Sequence, residues 1–190
     1  MRILFEIDYK NYKENGTVGK RPSARAIIIK ENKLAMVYSK KYNYYKFPGG
    51  GIKSNETNED ALIREVKEEV GLEVVKASIK EYGLVIRKEA GKIEDIFIQE
   101  NYYYFCEIAD TVDNQNLDDY EKEEGFTLRW IEPSVGIETN LKSDHNNCSD
   151  NNLHIIEREA KVLKLLMNEN HKKRWWWIYD VKKNDNRRLW

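Results

Sequence analysis

The chain lacks a cysteine framework, a long apolar run and any appreciable net charge, and each absence excludes a class of protein. Its two cysteines, Cys106 and Cys148, have neither metal-ligand nor disulfide-framework spacing, so two free thiols are expected. No apolar run approaches a membrane span, and Glu6 interrupts the N-terminal apolar residues too early for a signal peptide. Lys plus Arg number 32 against 33 Asp plus Glu, which gives no chain-wide attraction to nucleic acid or lipid. We therefore expect a cytoplasmic protein without membrane contact.

The 190 residues suit one domain with extra terminal elements and a substantial core. Strands are predicted where β-branched and aromatic residues are dense, with turn residues between them. These strands cover Ile3–Tyr9, Ala26–Lys30, Leu34–Ser39, Leu72–Lys88, Ile93–Ile108 and Phe126–Ile131. Residues 110–124 read as an acidic loop and residues 142–152 as a flexible connection, and an amphipathic helix is predicted over Leu153–Met167.

A glycine-rich loop followed by a helix is the most distinctive local pattern. Phe47-Pro48-Gly49-Gly50-Gly51 excludes regular structure and permits close approach of a ligand. Thr57 is a candidate N-cap with Asp60 three residues later, and Gly71 fits a left-handed helix end. The sequence therefore predicts a helix at about Asn58 to Val70.

Three glutamates of this helix, Glu65, Glu68 and Glu69, fall on one face at about 100° per residue. Their like charges call for a compensating cation, and carboxylate oxygens suit Mg²⁺, with Mn²⁺ as the alternative. Taken alone, such an acidic triple is more often a solvated helix face. The surrounding residues decide between the two interpretations.

The segment Gly50–Leu72, GGIKSNETNEDALIREVKEEVGL, resembles the signature of the Nudix hydrolase family at every specified position. The resemblance implies an α/β fold, a Nudix-type α/β/α sandwich with a mixed curved sheet. It also implies that Glu68 and Glu69 bind metal together with Glu65 and the Gly50 carbonyl, or that Glu65 instead acts as the base. Arg64 would orient the neighbouring glutamate, and Glu56 would support the loop and the metal shell.

A further acidic residue in many members of the family precedes a tryptophan-containing strand, and Glu124 stands six residues before Trp130. Glu124 is therefore the candidate, with Glu121 and Glu123 as alternatives. The reaction implied is metal-dependent hydrolysis of a pyrophosphate bond in a nucleoside diphosphate linked to another moiety, such as a nucleoside triphosphate, a nucleotide sugar or a dinucleotide. Glu65 or Glu124 would accept the proton from the attacking water.

Candidate contacts to the organic half of the substrate are Arg25, Lys46 and the tyrosines 42, 44 and 45, and Arg87 is a candidate contact to phosphate. Tyrosines in a β-rich domain more often serve packing. Tyr44 is the one retained as a predicted substrate contact. No proline lies between Gly71 and Pro133, which counts against subfamilies marked by a downstream proline. The sequence leaves the identity of the substrate open.

The predicted organisation is an N-terminal strand extension at residues 1–19, a Nudix domain at 20–170 and a basic, tryptophan-rich tail at 171–190. The tail carries seven Lys or Arg and two Asp residues, a balance of +5. It would touch RNA or membrane, or pack on the domain or on a second subunit of a homodimer, and packing is favoured. Two rival functions remain, a nucleotide-sensing module without turnover and a nucleic-acid-binding protein. An intact signature and the lack of a broad basic face favour the enzyme.

Overall fold

The structure is a computed structural model that describes residues 1–142, 144, 145 and 147–171. The predicted tail at 171–190 lies outside the described residues, except that His171 ends the last helix. The strands are β1 Ile3–Asp8, β2 Val18–Ile27, β3 Ile29–Lys30, β4 Lys33–Ser39, β5 Tyr44–Lys46, β6 Leu72–Val74, β7 Lys80–Ala90, β8 Ile96–Phe105, β9 Ile108–Val112 and β10 Thr127–Ile131. The helices are α1 Asn58–Val70, α2 Asp119–Glu124, α3 Pro133–Lys142 and α4 Asp150–His171.

The main sheet has four strands in the order β1-β7-β8-β2 and is mixed. β1 runs parallel to β7 and β2 parallel to β8, whereas β7 and β8 are antiparallel. A second, antiparallel sheet has the order β10-β4-β3 with β5 paired to β4, and β6 pairs with β9. The predicted N-terminal strand is thus an edge strand of the main sheet.

Successive side chains of β2 point to opposite faces of the sheet, so they contribute to two separate apolar cores. Ala24 and Ala26 join the core that contains Leu62 and Val66 of α1. Ile27, one residue on, belongs to the core that contains Leu163 of α4. Helices therefore cover both sheet faces, and the predicted α/β class with a mixed sheet between helices is confirmed.

Helix α4 carries a buried charged group as well as apolar residues. Arg158, 1% exposed, donates to Glu159 at 2.5 Å and to the Asn101 side chain of β8 at 2.8 Å. The pairing satisfies charges that would be costly to bury alone. The bond from Arg158 to Asn101 fixes α4 over the centre of the sheet.

Three predictions of local structure are wrong. The expected strand Leu72–Lys88 is interrupted by a 3-10 turn at Lys76–Ser78, because a change of direction separates β6 from the main sheet. The expected acidic loop contains α2, which Asp118 caps and Gly125 ends with φ 67°. The expected connection at 142–152 overlaps α4, which begins at Asp150. Across the described residues, no helix is both long and apolar enough to cross a membrane.

Candidate active site

The glycine loop is bonded along the free edge of β2. Ala24 N–H donates to the Gly50 carbonyl at 3.0 Å, and Ala26 N–H donates to the Pro48 carbonyl at 2.8 Å. Gly49 has φ +134°, and a Cβ there would collide with the Ala24 carbonyl oxygen. Only glycine fits this position, so the loop path depends on it.

The loop also touches the helix that follows it. A Cβ on Gly50 would collide with the carboxylate of Glu65, so this glutamate packs directly against the loop backbone. Helix α1 starts at the predicted N-cap, where Thr57 Oγ1 accepts from Asp60 N–H at 3.1 Å. It ends at Gly71 in the left-handed conformation, φ 68°, as predicted.

Arg64 joins the loop and the carboxylates. Its Nε and Nη2 donate to the two oxygens of Glu56 at 2.6 and 2.8 Å, and Nη2 also donates to the Gly51 carbonyl at 3.1 Å. Its Nη1 bridges Glu65 at 2.6 Å and Glu68 at 2.9 Å. These charge-assisted bonds raise the pKa of Arg64, and its hydrogen bonds to Glu56 lower the pKa of that carboxyl to about 2. The predicted orienting role of Arg64 fits this geometry.

The three helix glutamates differ in environment. Side-chain exposure is 16% for Glu65, 36% for Glu68 and 1% for Glu69. Burial raises the pKa of Glu65 although the bond from Arg64 opposes it. Glu65 and Glu68 face a cavity, whereas Glu69 turns into the protein.

Glu69 forms a buried ion pair with Lys46 of β5. Its other carboxylate oxygen accepts from Gly49 N–H at 2.8 Å. Burial raises the pKa of Glu69, opposed by the charges of Lys46 and Arg25. The predicted substrate contact Lys46 is therefore engaged with a predicted metal ligand, beneath the glycine loop.

The donor set suits a hard divalent cation. Glu65 and Glu68 offer carboxylate oxygens beside the carbonyl oxygens of Gly50 and Gly51. Within the described parts of the chain, no three acidic, histidine or cysteine side chains already converge as a metal centre. Arg64 instead provides the positive charge between Glu65 and Glu68.

The predicted additional acidic residue, Glu124, lines the same cavity. Its Oε2 accepts from Ser39 Oγ at 2.9 Å and Tyr44 OH at 3.0 Å, and its Oε1 accepts from Asn152 Nδ2 at 3.2 Å. It therefore ties β4, β5 and α4 together. Of the two alternatives, buried Glu121 also lines the cavity, whereas exposed Glu123 pairs with Lys41 at 2.5 Å.

The cavity has a volume of about 550 Å³ and brings together most of the predicted site. The predicted residues that line it are Arg25, Tyr44, Gly50, Arg64, Glu65, Glu68 and Glu124. Arg25 also donates to the Gly49 carbonyl. Glu56, Lys46, Glu69 and Arg87 lie outside the lining. Arg87 is buried in the main sheet, with its Nη2 3.3 Å from Glu89.

Several lining residues were not predicted from the sequence. They are Arg21, Ser23, Gln99, Asn116, Asp118, Tyr120, Asn151 and Asn152. Arg21 and Ser23 could have been found from Arg25, because alternate residues of a strand share a face. Gln99 could have been found as an uncharged polar residue within the apolar run that forms β8.

Comparison with known proteins gives consistent sequence matches. A family model described as NUDIX domain matches residues 19–150, more than half of the chain. An 8-oxo-dGTP diphosphatase of Buchnera aphidicola subsp. Schizaphis graminum is 34% identical over 93 residues, which cover 41% of this chain and 69% of the relative. An RNA pyrophosphohydrolase of Marinomonas sp. strain MWYL1 is 48% identical over 56 residues, covering 29% of this chain and only 35% of the relative.

Solved structures share the fold. A NUDIX hydrolase from Nitrosomonas europaea gives a TM-score of 0.51 at 15% identity, covering 73% of this chain and 87% of the other. The ORF135 protein of E. coli gives 0.50 at 17% identity, covering 74% and 88%. At these identities the likeness concerns the fold alone. With the family match over residues 19–150, it follows that the chain belongs to the Nudix domain family.

Proposed function

We propose that the protein hydrolyses, with a divalent metal ion, the pyrophosphate bond of a nucleoside diphosphate linked to another group. The observation that carries the proposal is the packing of Glu65 against the Gly50 backbone, with Arg64 bridging Glu65 and Glu68 at the cavity wall. A rigid acidic wall beside the backbone oxygens of Gly50 and Gly51 suits a cation that in turn binds phosphate.

Glu68 and the Gly50 carbonyl would hold the ion, Mg²⁺ with Mn²⁺ as the alternative, and Glu65 would either join them or act as the base. Glu69 would reach the ion only by exchanging its bond with Lys46, so its predicted ligand role requires a rearrangement. A bound ion would neutralise phosphate charge and make the attacking water more acidic. Arg64 and Glu56 hold the carboxylates and the loop in place.

The attacking water needs a proton acceptor, for which Glu65 and Glu124 were the candidates. Glu124 accepts three hydrogen bonds through its two oxygens, from Ser39, Tyr44 and Asn152. These bonds engage both carboxylate oxygens of Glu124 and hold them in the cavity wall. We therefore assign proton acceptance to Glu65 and positioning of the cavity wall to Glu124.

The organic half of the substrate would occupy the rest of the cavity, beside Arg25 and Tyr44. The names of the relatives, an RNA pyrophosphohydrolase and an 8-oxo-dGTP diphosphatase, support a substrate of the nucleotide type. The alignment covers only about a third of the RNA pyrophosphohydrolase of Marinomonas, at 35%. The substrate is thus proposed by class, and a cytoplasmic location is proposed from the sequence.

The test is the release of phosphate-bearing products from a panel of nucleoside triphosphates, nucleotide sugars, dinucleotides and 5′-triphosphorylated RNA, with Mg²⁺ or Mn²⁺. Glu68→Gln should abolish metal-dependent turnover. The matched control is Glu59→Gln, an exposed glutamate in the first turn of the same helix, and it should leave turnover unchanged. Nucleotide binding without turnover across the panel would establish the rival, a nucleotide-sensing module.

A further inference from the structure

Three polar side chains form a row across the main sheet on its α4 face. Arg21 of β2 is in register with Gln99 of β8, which is in register with Arg87 of β7. Residues paired in this way point to the same face of a sheet. Arg21 is exposed, whereas Gln99 and Arg87 are 6% and 2% exposed. The row therefore runs from the rim of the cavity into the protein.

The two buried members keep polar atoms without partners. Arg87 Nε and Nη1 and Gln99 Oε1 have no hydrogen-bond partner among the described residues. The Arg87 Nη2 lies 3.3 Å from Glu89, whose other oxygen is 2.9 Å from His154 Nδ1. Folded proteins rarely leave such groups unpaired, and those that remain often mark a site for water, an ion or a ligand.

The charges around the row favour an anion. Burial lowers the pKa of Arg87 most; Glu89 raises it, and the positive charges of Arg158 and Arg21 lower it again. Arg158 is already paired with Glu159. A negatively charged group between Arg21 and Arg87 would therefore stabilise this part of the sheet.

The two buried members of the row, Gln99 and Arg87, lie too far from the glycine loop to bind the pyrophosphate that is cleaved, whereas the exposed side chain of Arg21 lies beside Gly51. Gly51 pairs with Ser23, so the loop lies beyond the free edge of β2. At the usual strand spacing, β8 lies roughly 10 Å and β7 roughly 14 Å from the loop. Gln99 faces the same cavity beside Asn151 and Ile155, in the first turns of α4. The N-terminus of this long helix adds positive potential at that end.

We propose that Arg21, Gln99 and Arg87 form a subsite for a second phosphate group, carried by the organic half of the substrate. When the phosphate binds, Arg87 would donate to the otherwise unpartnered Gln99 Oε1 and so turn the amide NH₂ toward the cavity, while Arg21 would donate from the rim. Gln99 and Arg21 then bind the phosphate, and Arg87 is a positioning residue. All groups presented are donors, so the ligand offers only acceptors. This subsite rests on the proposed function for its substrate.

The test uses nucleotides without a pyrophosphate bond, so binding is measured whether or not the protein hydrolyses anything. Calorimetry with the metal-free chain compares AMP with adenosine 3′,5′-bisphosphate and with the 5′-phosphorylated dinucleotide pApA. At least one of the two probes should bind about tenfold more tightly than AMP, as one charge-assisted hydrogen bond would give. A gain for the bisphosphate alone identifies a phosphomonoester, and a gain for pApA alone identifies a phosphodiester.

The variants separate the subsite from general attraction of charge. Gln99→Glu keeps the size of the side chain and should abolish the gain, and exposed Arg21→Met should reduce it without unfolding the protein. Arg129→Met, at an exposed arginine of β10, is the control and should keep the gain. Equal binding of AMP and both probes by the wild type overturns the proposal. A gain that survives in Gln99→Glu overturns it as well.

Discussion

Arg64 and Glu56 form a paired contact in which Nε and Nη2 donate to separate carboxylate oxygens at 2.6 and 2.8 Å. Glu56 also accepts from Lys53 N–H at 3.0 Å, so the contact reaches back into the loop. The remaining donors of the same guanidinium hold Glu65 and Glu68. One planar group thus sets the position of the loop relative to the carboxylates of α1.

Replacing Arg64 with lysine should impair metal-dependent activity with little loss of fold. An ammonium group keeps the charge but cannot make the paired contact with Glu56 while also bridging two further carboxylates. We expect roughly a 10- to 100-fold loss in apparent metal affinity or turnover, as for other groups that orient metal ligands. The measurement is turnover against Mg²⁺ concentration. Lys67→Met, an exposed lysine of the same helix, is the control, and an unchanged Mg²⁺ curve for Arg64→Lys would contradict the assignment.

Adjacent glycines of the loop should respond differently to alanine. A Cβ on Gly50 would collide with the Glu65 carboxylate, whereas a Cβ on Gly51 would lie 3.7 Å from its nearest neighbour, an Arg21 nitrogen. Displacing Glu65 by about an ångström should cost on the order of 10²-fold in turnover. Gly51→Ala should stay close to wild type. Steady-state kinetics with a thermal unfolding control measures the difference, and equal effects of the two substitutions would refute the argument.

Lys46→Met should destabilise the fold strongly because it leaves Glu69 buried and unpaired. The two side chains are 6% and 1% exposed. Breaking one partner of such a pair costs about 3–5 kcal/mol in the free energy of unfolding. Adding Glu69→Leu to Lys46→Met should restore most of the loss. Denaturant titration measures both, with Lys41→Met as the exposed counterpart, which should cost much less because water screens its pair with Glu123.

Stability should carry a contribution from His154 that is lost in acid. Burial lowers the pKa of His154, although Glu89 opposes the shift. The unfolded chain therefore binds a proton more readily than the folded one, so this contribution is complete above the ordinary pKa of about 6.5 and declines below it. Replacing His154 with phenylalanine keeps a ring to stack on Tyr9 and removes the titration. The unfolding free energies of the two proteins, compared from pH 7.5 to 5.5, should diverge in slope, and parallel curves would count against the effect.

The sequence predicted α1 well because its limits are local. The Thr57 cap and the Gly71 stop depend only on residues within the helix and next to it. Helix α2 was missed although its signals were of the same kind, since Asp118, Glu121 and Gly125 form a capping box and a C-terminal stop. The high density of acidic residues in that segment is typical of a solvated loop, and it obscured the helical signals.

The candidate site was predicted only in part, because some of its contacts are not local in the sequence. Glu65 and Glu68 face the cavity, but Glu69 binds Lys46 of β5, a strand that is absent from the predicted set. Gln99 reaches the cavity because β8 pairs with β2 in one particular register. Such contacts depend on strand pairings between distant residues, and helical periodicity carries no information about them.

Helix α4 is both a wall of the cavity and a support of the core. Asn152 in its first turn bonds Glu124, and Arg158 two turns later is bonded to Asn101 and Glu159 in the interior. An outward movement of this helix would break the bonds that join it to β8, from Arg158 to Asn101 and from Tyr103 to Glu159. Contacts in the protein interior therefore fix the width of the cavity opening. Selection among substrates then depends on the shape and polarity of a rigid cavity.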